Sequence, residues 1–271
     1  MKIRSITYFC NPGWPLKQEK LRAAGDFLAE AKSAFEAEGF EVQTTRLATV
    51  PFPQLLGEKR LGEAPRLAQE LSRVLAEADI SYGSLGPALP DSPVSYAVIP
   101  ESIAAAGNIF FSGLMAEPKH GISLAAVHAC AKIILRNATI LPGGFANLNF
   151  AALANVPAGA PFFPAAYHNG EEPAFSLAME AADAAVRAFE MGRTISEGQR
   201  ILVDLLEESA HTLVRVADML KYKYQVRFGG IDFSLAPFPE KSRSGGAAVE
   251  AMGVPRVGLH GSLTAAAILT G

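Results

Sequence analysis

Cysteine is scarce in this chain of 271 residues, with only Cys10 and Cys130 present. Two thiols so far apart exclude a disulfide framework or a zinc knuckle and fit a reducing cytoplasm. An excess of one charge is also missing: 24 basic residues stand against 27 acidic ones, for a formal net charge of −3. No Lys/Arg cluster appears, so a nucleic-acid partner is not expected. No run reaches the roughly 18 apolar residues of a membrane helix, and the apolar stretch within Met1–Phe9 is too short for a signal peptide. A soluble, cytoplasmic protein without a membrane partner is expected. Neither a Gly-x-Gly-x-x-Gly turn nor a Gly-x-x-x-x-Gly-Lys-Ser/Thr loop occurs, and no dense set of metal ligands is seen. The expectation is no cofactor and no metal.

What is present is alternation. Ile3–Cys10 is a β-branched and aromatic run closed by Asn11-Pro12-Gly13, which predicts a first strand. From Pro15 to Glu38, Leu21, Ala24, Phe27, Leu28, Ala31 and Phe35 recur at helical spacing, and Gly39 supplies the residue where a helix can stop in the left-handed conformation. Further strands are predicted at 41–47, 80–85, 109–114 and 229–236. Helices are predicted at 64–76, 100–106, 122–135, 174–191 and 196–222. Leu141–Pro164 breaks the pattern: its glycines, prolines and phenylalanines are too punctuated for a helix and too apolar for a linker. Repeated strand and helix units need right-handed crossovers and build an open doubly wound sheet or a closed parallel barrel. The missing phosphate cradles favour the barrel. No repeat and no linker divides the chain, so a single α/β domain over 1–271 is expected.

Candidate chemistry gathers in three places. His168, in Tyr167-His168-Asn169-Gly170-Glu171, follows an apolar run, and a titratable residue at the carboxyl end of a strand faces the mouth of a barrel. Glu171 stands beside it. In Gly230-Ile231-Asp232-Phe233-Ser234, alternation points Asp232 and Ser234 to one side, as a general base and a hydrogen-bond donor or as a satisfied structural pair. In Gly258-Leu259-His260-Gly261-Ser262, two glycines let the backbone approach a ligand while Ser262 caps the next helix, a setting for an anion; the plainer reading is a cap and a turn. Asp232, His168 and His260 are the candidate catalytic residues. Ser234, Asn147, Lys119, Glu171, Gly261 and Ser262 are the candidate substrate-binding residues. His120 precedes a helix and could touch a ligand, whereas His128 and His211 fit packed or solvated helix positions. Cys10 has no visible base beside it, and Cys130 reads as core.

Several of these segments, in the same order, resemble the family known as domain of unknown function 711: Phe145-Ala146-Asn147, Phe163-Pro164-Ala165-Ala166-Tyr167-His168-Asn169-Gly170-Glu171, Gly230 through Pro237, and Gly258-Leu259-His260-Gly261-Ser262. Arg4-Ser5-Ile6-Thr7 and Lys119-His120-Gly121-Ile122 agree more loosely. The resemblance implies a closed β/α barrel of the pyruvate formate-lyase-like type with a loop inside it, and no settled reaction. Radical enzymes with that barrel carry a glycine motif near the carboxyl end and a loop cysteine; neither is recognisable here, so no glycyl radical is expected. Family members continue past the His-Gly-Ser helix. Either a second polypeptide completes the barrel, or the chain is a fragment, or it ends naturally at Gly271.

The functional expectation is an enzyme acting on a small polar or anionic metabolite by acid/base chemistry in a barrel-mouth pocket. The alternative is a non-catalytic ligand-binding or regulatory subunit with the same barrel. A third reading makes assembly the main role, with Phe162, Phe163 and Phe175 at an interface, and homo-oligomerisation is expected in any case.

Overall fold

A computed structural model describes residues 1–235 and 240–270. The end of the expected strand 229–236, with Ala236 through Pro239, and Gly271 lie outside the described residues.

The element order is β1 (Lys2–Cys10), α1 (Gln18–Ala37), β2 (Thr45–Thr49), α2 (Phe52–Leu56), α3 (Ala64–Glu77), β3 (Tyr82–Ala88), α4 (Val94–Ala97), α5 (Ile99–Ala105), β4 (Ile109–Glu117), β5 (Gly121–Ile122), α6 (Leu124–Asn137), β6 (Phe150–Ala154), β7 (Ala174–Glu180), α7 (Ala182–Met191), α8 (Ile195–Tyr224), β8 (Arg227–Asp232), α9 (Gly245–Ala251) and α10 (Ser262–Thr270). The fold is mixed α/β with one large sheet in the order β6–β4–β3–β2–β1–β7–β8, β5 pairing the end of β4. β1 to β4 and β6 run parallel; β7 and β8 run the opposite way. β6 and β8 do not pair, so among the described residues the sheet is open and the expected closed barrel is not formed. The segment after β6 crosses the sheet to β7, which joins β1 on its other side, and among the described residues no strand bridges the two edges.

The expected helix over 174–191 is a strand followed by a helix. β7 is covered on both faces, so its apolar residues run continuously and lose the alternation that marks a half-buried strand. The expected loop 141–164 contains a 3-10 helix (Pro142–Asn149) and then β6. The Ala-rich Phe150-Ala151-Ala152-Leu153-Ala154 has little strand propensity, and its ladder with β4 holds it extended. The expected strand 41–47 forms two to four residues later, with Val42 making only an isolated bridge to Ile3.

The two faces of the sheet differ in chemistry. One carries Ile6, Tyr8, Cys10, Leu47, Leu85, Phe111, Phe175 and Leu177 into the main core, packed under α1, α3, α5, α6 and α8. Burial of the α1 stripe from Leu21 to Phe35 is what makes that helix, and Gly39 ends it with φ of 89°. The other face carries small hydroxyls, Ser5, Thr7, Ser84, Ser112 and Ser176, all buried. They are covered by the crossing segment 155–173, a strap tied to the strands by its carbonyls. Ser84 Oγ donates to Ala166 O at 2.7 Å, Thr7 Oγ1 to Pro161 O at 3.3 Å and Ser176 Oγ to Gly159 O at 3.4 Å. The strap's own apolar contribution is Phe163 and Ala166 against Phe9, Ala48 and Ala174. A loop can be buried here because hydroxyls of the sheet satisfy its backbone.

Candidate functional site

At the start of the parallel strands, where the strap leaves part of its face open, two guanidinium groups meet three aromatic rings. Arg46 is the one charged residue of β2 and stands at an alternate position between Thr45 and Leu47, in register with Thr7 on β1 and Tyr82 on β3. That parity turns it to the strap face. Arg4 is the extra residue of a β-bulge between Ile3 and Ser5, and the bulge aims its side chain toward the same place. The Arg46 guanidinium carbon lies 5.1 Å from the Phe163 ring centroid and 5.9 Å from that of Tyr82. Phe110 closes the cage, with its centroid 5.3 Å from Phe163 and 5.4 Å from Tyr82.

The arginine is held by one edge only. Its Nε donates to Thr44 Oγ1 at 2.9 Å, and that hydroxyl donates to Arg4 O at 2.8 Å. No carboxylate lies within ion-pair distance of Arg4 or Arg46 among the described residues. Burial holds the Arg46 guanidinium down to about 10, with the Arg4 charge pushing the same way and Tyr82 opposing. It remains protonated at neutral pH. The result is a half-buried cation beside a second one, facing a cavity of about 510 Å³ lined by Arg4, Arg46, Tyr82, Phe110, Phe162, Phe163 and Ser234. That size is within the roughly 300–1,000 Å³ of small-molecule sites.

Ser234 comes from the segment after β8, where the Asp232 side chain folds back: Oδ1 accepts from Ser234 N at 2.7 Å. Asp232 is in register with Ala178 of β7, which pairs with Ser5 of β1, so the aspartate stands at the same end of the sheet as Arg4. The structure thus bonds Asp232 to the backbone of Ser234, and Ser234 lines the arginine cavity.

The other sequence candidates lie apart. His168 sits in the strap at the opposite end of β2, its N–H donating to Thr49 O, roughly 10 Å along the strand from Arg46. It is buried, and Nε2 donates to Glu171 O at 3.0 Å; a carbonyl only accepts, so Nε2 carries the proton. Burial lowers its pKa below 6.5, against the pull of that hydrogen bond. The Glu171 side chain is exposed. Lys119 is exposed in the turn after β4, next to a His120 Nδ1 to Glu117 contact of 3.1 Å. Asn147 lies in the 3-10 helix before β6, where Nδ2 donates to Ile134 O at 3.1 Å. His260 is exposed on the turn before α10, which packs on α9. Ser262 Oγ accepts from Gly258 N at 2.9 Å and donates to Leu259 O at 2.8 Å, tying the turn to itself, with Gly258 and Gly261 both at positive φ. The arginine cavity is lined by Ser234 and by neither imidazole.

Sequence reasoning missed Arg46, Tyr82 and Phe110. The signal available for Arg46 was a charged residue flanked by the buried Thr45 and Leu47 of β2. The rings gave none, because strand aromatics are ordinarily core. Cys10 is buried at the end of β1, and burial raises its thiol to about 12. No three His, Cys, Asp or Glu side chains gather as a metal site among the described residues, and no described helix is long and apolar enough to cross a membrane.

A family model described as "Uncharacterised ACR (DUF711)" matches residues 1–271. A UPF0210 protein of Actinobacillus pleuropneumoniae is 25% identical over 266 residues, covering 93% of this chain and 58% of that protein. One from Actinobacillus succinogenes is 23% identical over 261 residues, covering 92% and 58%. One from Pyrobaculum arsenaticum is 32% identical over 154 residues, covering 55% and 33%. The chain spans little more than half the length of the curated relatives it matches most fully.

Proposed function

The chain belongs to the DUF711 family, and on that premise we propose that it binds a small anionic metabolite between Arg4 and Arg46 and acts on it by acid/base chemistry. The observation that carries the reading is the half-buried Arg46, stacked on Phe163 and Tyr82 without a carboxylate partner among the described residues. A buried charge is costly unless paired, and a ligand carboxylate or phosphate would supply the missing partner to the free guanidinium edge. The phenylalanines would take the apolar part of the same ligand. In this reading Asp232, one oxygen of which accepts from the N–H of the cavity residue Ser234, is the proton-transfer group. Two free, buried thiols support a reducing cytoplasm as the setting. A kinship of architecture with pyruvate formate-lyase-like barrels is part of the proposal. It is supported by the parallel run of β1 to β4 and β6, with helices on one face and a strap on the other.

The test is a thermal-shift screen against a panel of small carboxylates and phosphate esters. At least one compound is expected to raise Tm, and Arg46→Gln is expected to weaken its binding on the order of 10- to 100-fold, the value of one charge-assisted pair. A panel without effect on the wild type, or a shift that Arg46→Gln leaves intact, would refute the site. Asp232→Asn then separates the enzyme from a ligand-binding subunit. Binding retained with turnover lost supports the enzyme; binding without conversion by the wild type supports the subunit.

A further inference from the structure

The two arginines of the cavity converge on one threonine. Arg46 leans back along β2 so that its Nε donates to Thr44 Oγ1, and that same hydroxyl donates to the carbonyl of Arg4. Both side chains then line one cavity. A guanidinium has five N–H donors. Among the described residues the Arg46 group uses only the one on Nε, and the Arg4 group uses none. No carboxylate lines the cavity among the described residues, and its neutral polar groups are the hydroxyls of Ser234 and Tyr82. The rest of the wall is aromatic, and Tyr82, Phe110, Phe162 and Phe163 all keep part of their surface uncovered. The cavity thus combines two unmet positive charges with bare ring surface, and it offers little to a hydroxyl-rich compound.

Resting on the anion site proposed above, we infer that its ligand is a phosphate monoester carrying a flat apolar ring. Charge and acceptor number decide against a simple carboxylate, whose two oxygens and single charge satisfy one guanidinium. A phosphate monoester brings three terminal oxygens and close to two negative charges at neutral pH in one tetrahedron. That is enough to accept from both arginines at once. A dicarboxylate carries the same charge but divides it between two separate groups, whereas Arg4 and Arg46 meet at one point, the Thr44 hydroxyl. The ring of the ester lies against the aromatic wall in the offset or edge-to-face contacts that ring pairs prefer.

Isothermal titration of the wild-type chain with four probes at equal ionic strength tests the assignment without needing a variant to fold. Phenyl phosphate is the reference. Phenyl sulfate keeps the ring and the tetrahedron but carries one charge, phthalate keeps the ring with two carboxylates, and glycerol phosphate keeps the phosphate without the ring. Each of the three is expected to bind more weakly than phenyl phosphate by about 10-fold or more, the value of one charge-assisted pair or of one buried ring. In Arg4→Gln the preference for phosphate over sulfate is expected to shrink towards equality, since only one cation is left. The two readings fail differently. If no probe binds, or if Arg46→Gln leaves the affinity of every probe intact, the anion site itself is refuted and this inference with it. If Arg46→Gln weakens binding but phenyl sulfate, phthalate or glycerol phosphate matches phenyl phosphate, the site stands and the assignment of a ring-bearing phosphate ester is overturned.

Discussion

A single buried imidazole shows how position decides chemistry at the scale of the residue. His168 is a local staple: its backbone N–H reaches Thr49 O and ties the strap to the end of β2, while its ring reaches the Glu171 carbonyl and closes the strap on itself. Because burial lowers its pKa in the fold, the unfolded chain takes up the proton first as pH falls below 6.5. Stability is thus full above that value and declines as pH drops toward the folded-state value. Tm is expected to fall more steeply from pH 7 to pH 5 in the wild type than in His168→Gln, measured by differential scanning calorimetry; parallel curves would show that the ring is not held neutral. The titratable character of His168 was legible in the sequence, but its partner was not, since the bond is to a backbone carbonyl. Arg46 is the converse case. Its charge was visible in the sequence, while the rings beside it come from β3, β4 and the strap and could be assembled only by the fold.

At the scale of the element, the helix side of the sheet is set by close approach. Gly113 of β4 lies so near α6 that a Cβ there would stand 2.7 Å from Cys130 Sγ and 3.2 Å from the Tyr96 ring. Gly113→Ala is expected to destabilise the protein by about 1–3 kcal/mol, the cost of overpacking. In a Cys130→Ala background the penalty is expected to shrink, because the nearest obstructing atom is gone. Urea denaturation of the four-member cycle measures the coupling; additive losses would mean that β4 and α6 do not touch there. Helices α1, α3 and α6 were legible because each buries a stripe of 3.6-residue period. β7 was not, because a strand covered on both faces has no period of its own. β6 was not, because its Ala-rich residues carry no local preference and its extended form comes from pairing with β4.

For the molecule as a whole, the sheet has an apolar face under helices and a hydroxyl-lined face under a strap, with the two arginines at the strap's open end. Alternation of strand and helix was readable along the chain, since each unit folds on its neighbour. Closure was not readable, since it depends on whether β6 and β8, far apart in sequence, find a strand between them. The site followed the same division. Asp232 and Ser234 were found together because they are two residues apart in the sequence, although the strand ends at Asp232. Joining His168 and His260 to them rested on a barrel mouth, which the described residues, with their open sheet, do not form.

The central claim is that Arg46 faces an anion-binding cavity. Isothermal titration of the strongest anion from the screen into wild type, Arg4→Gln and Arg46→Gln at equal ionic strength tests it most directly. One site per chain is expected in the wild type, weakened by either substitution and weakening further with added salt. Equal affinity in all three proteins would contradict it.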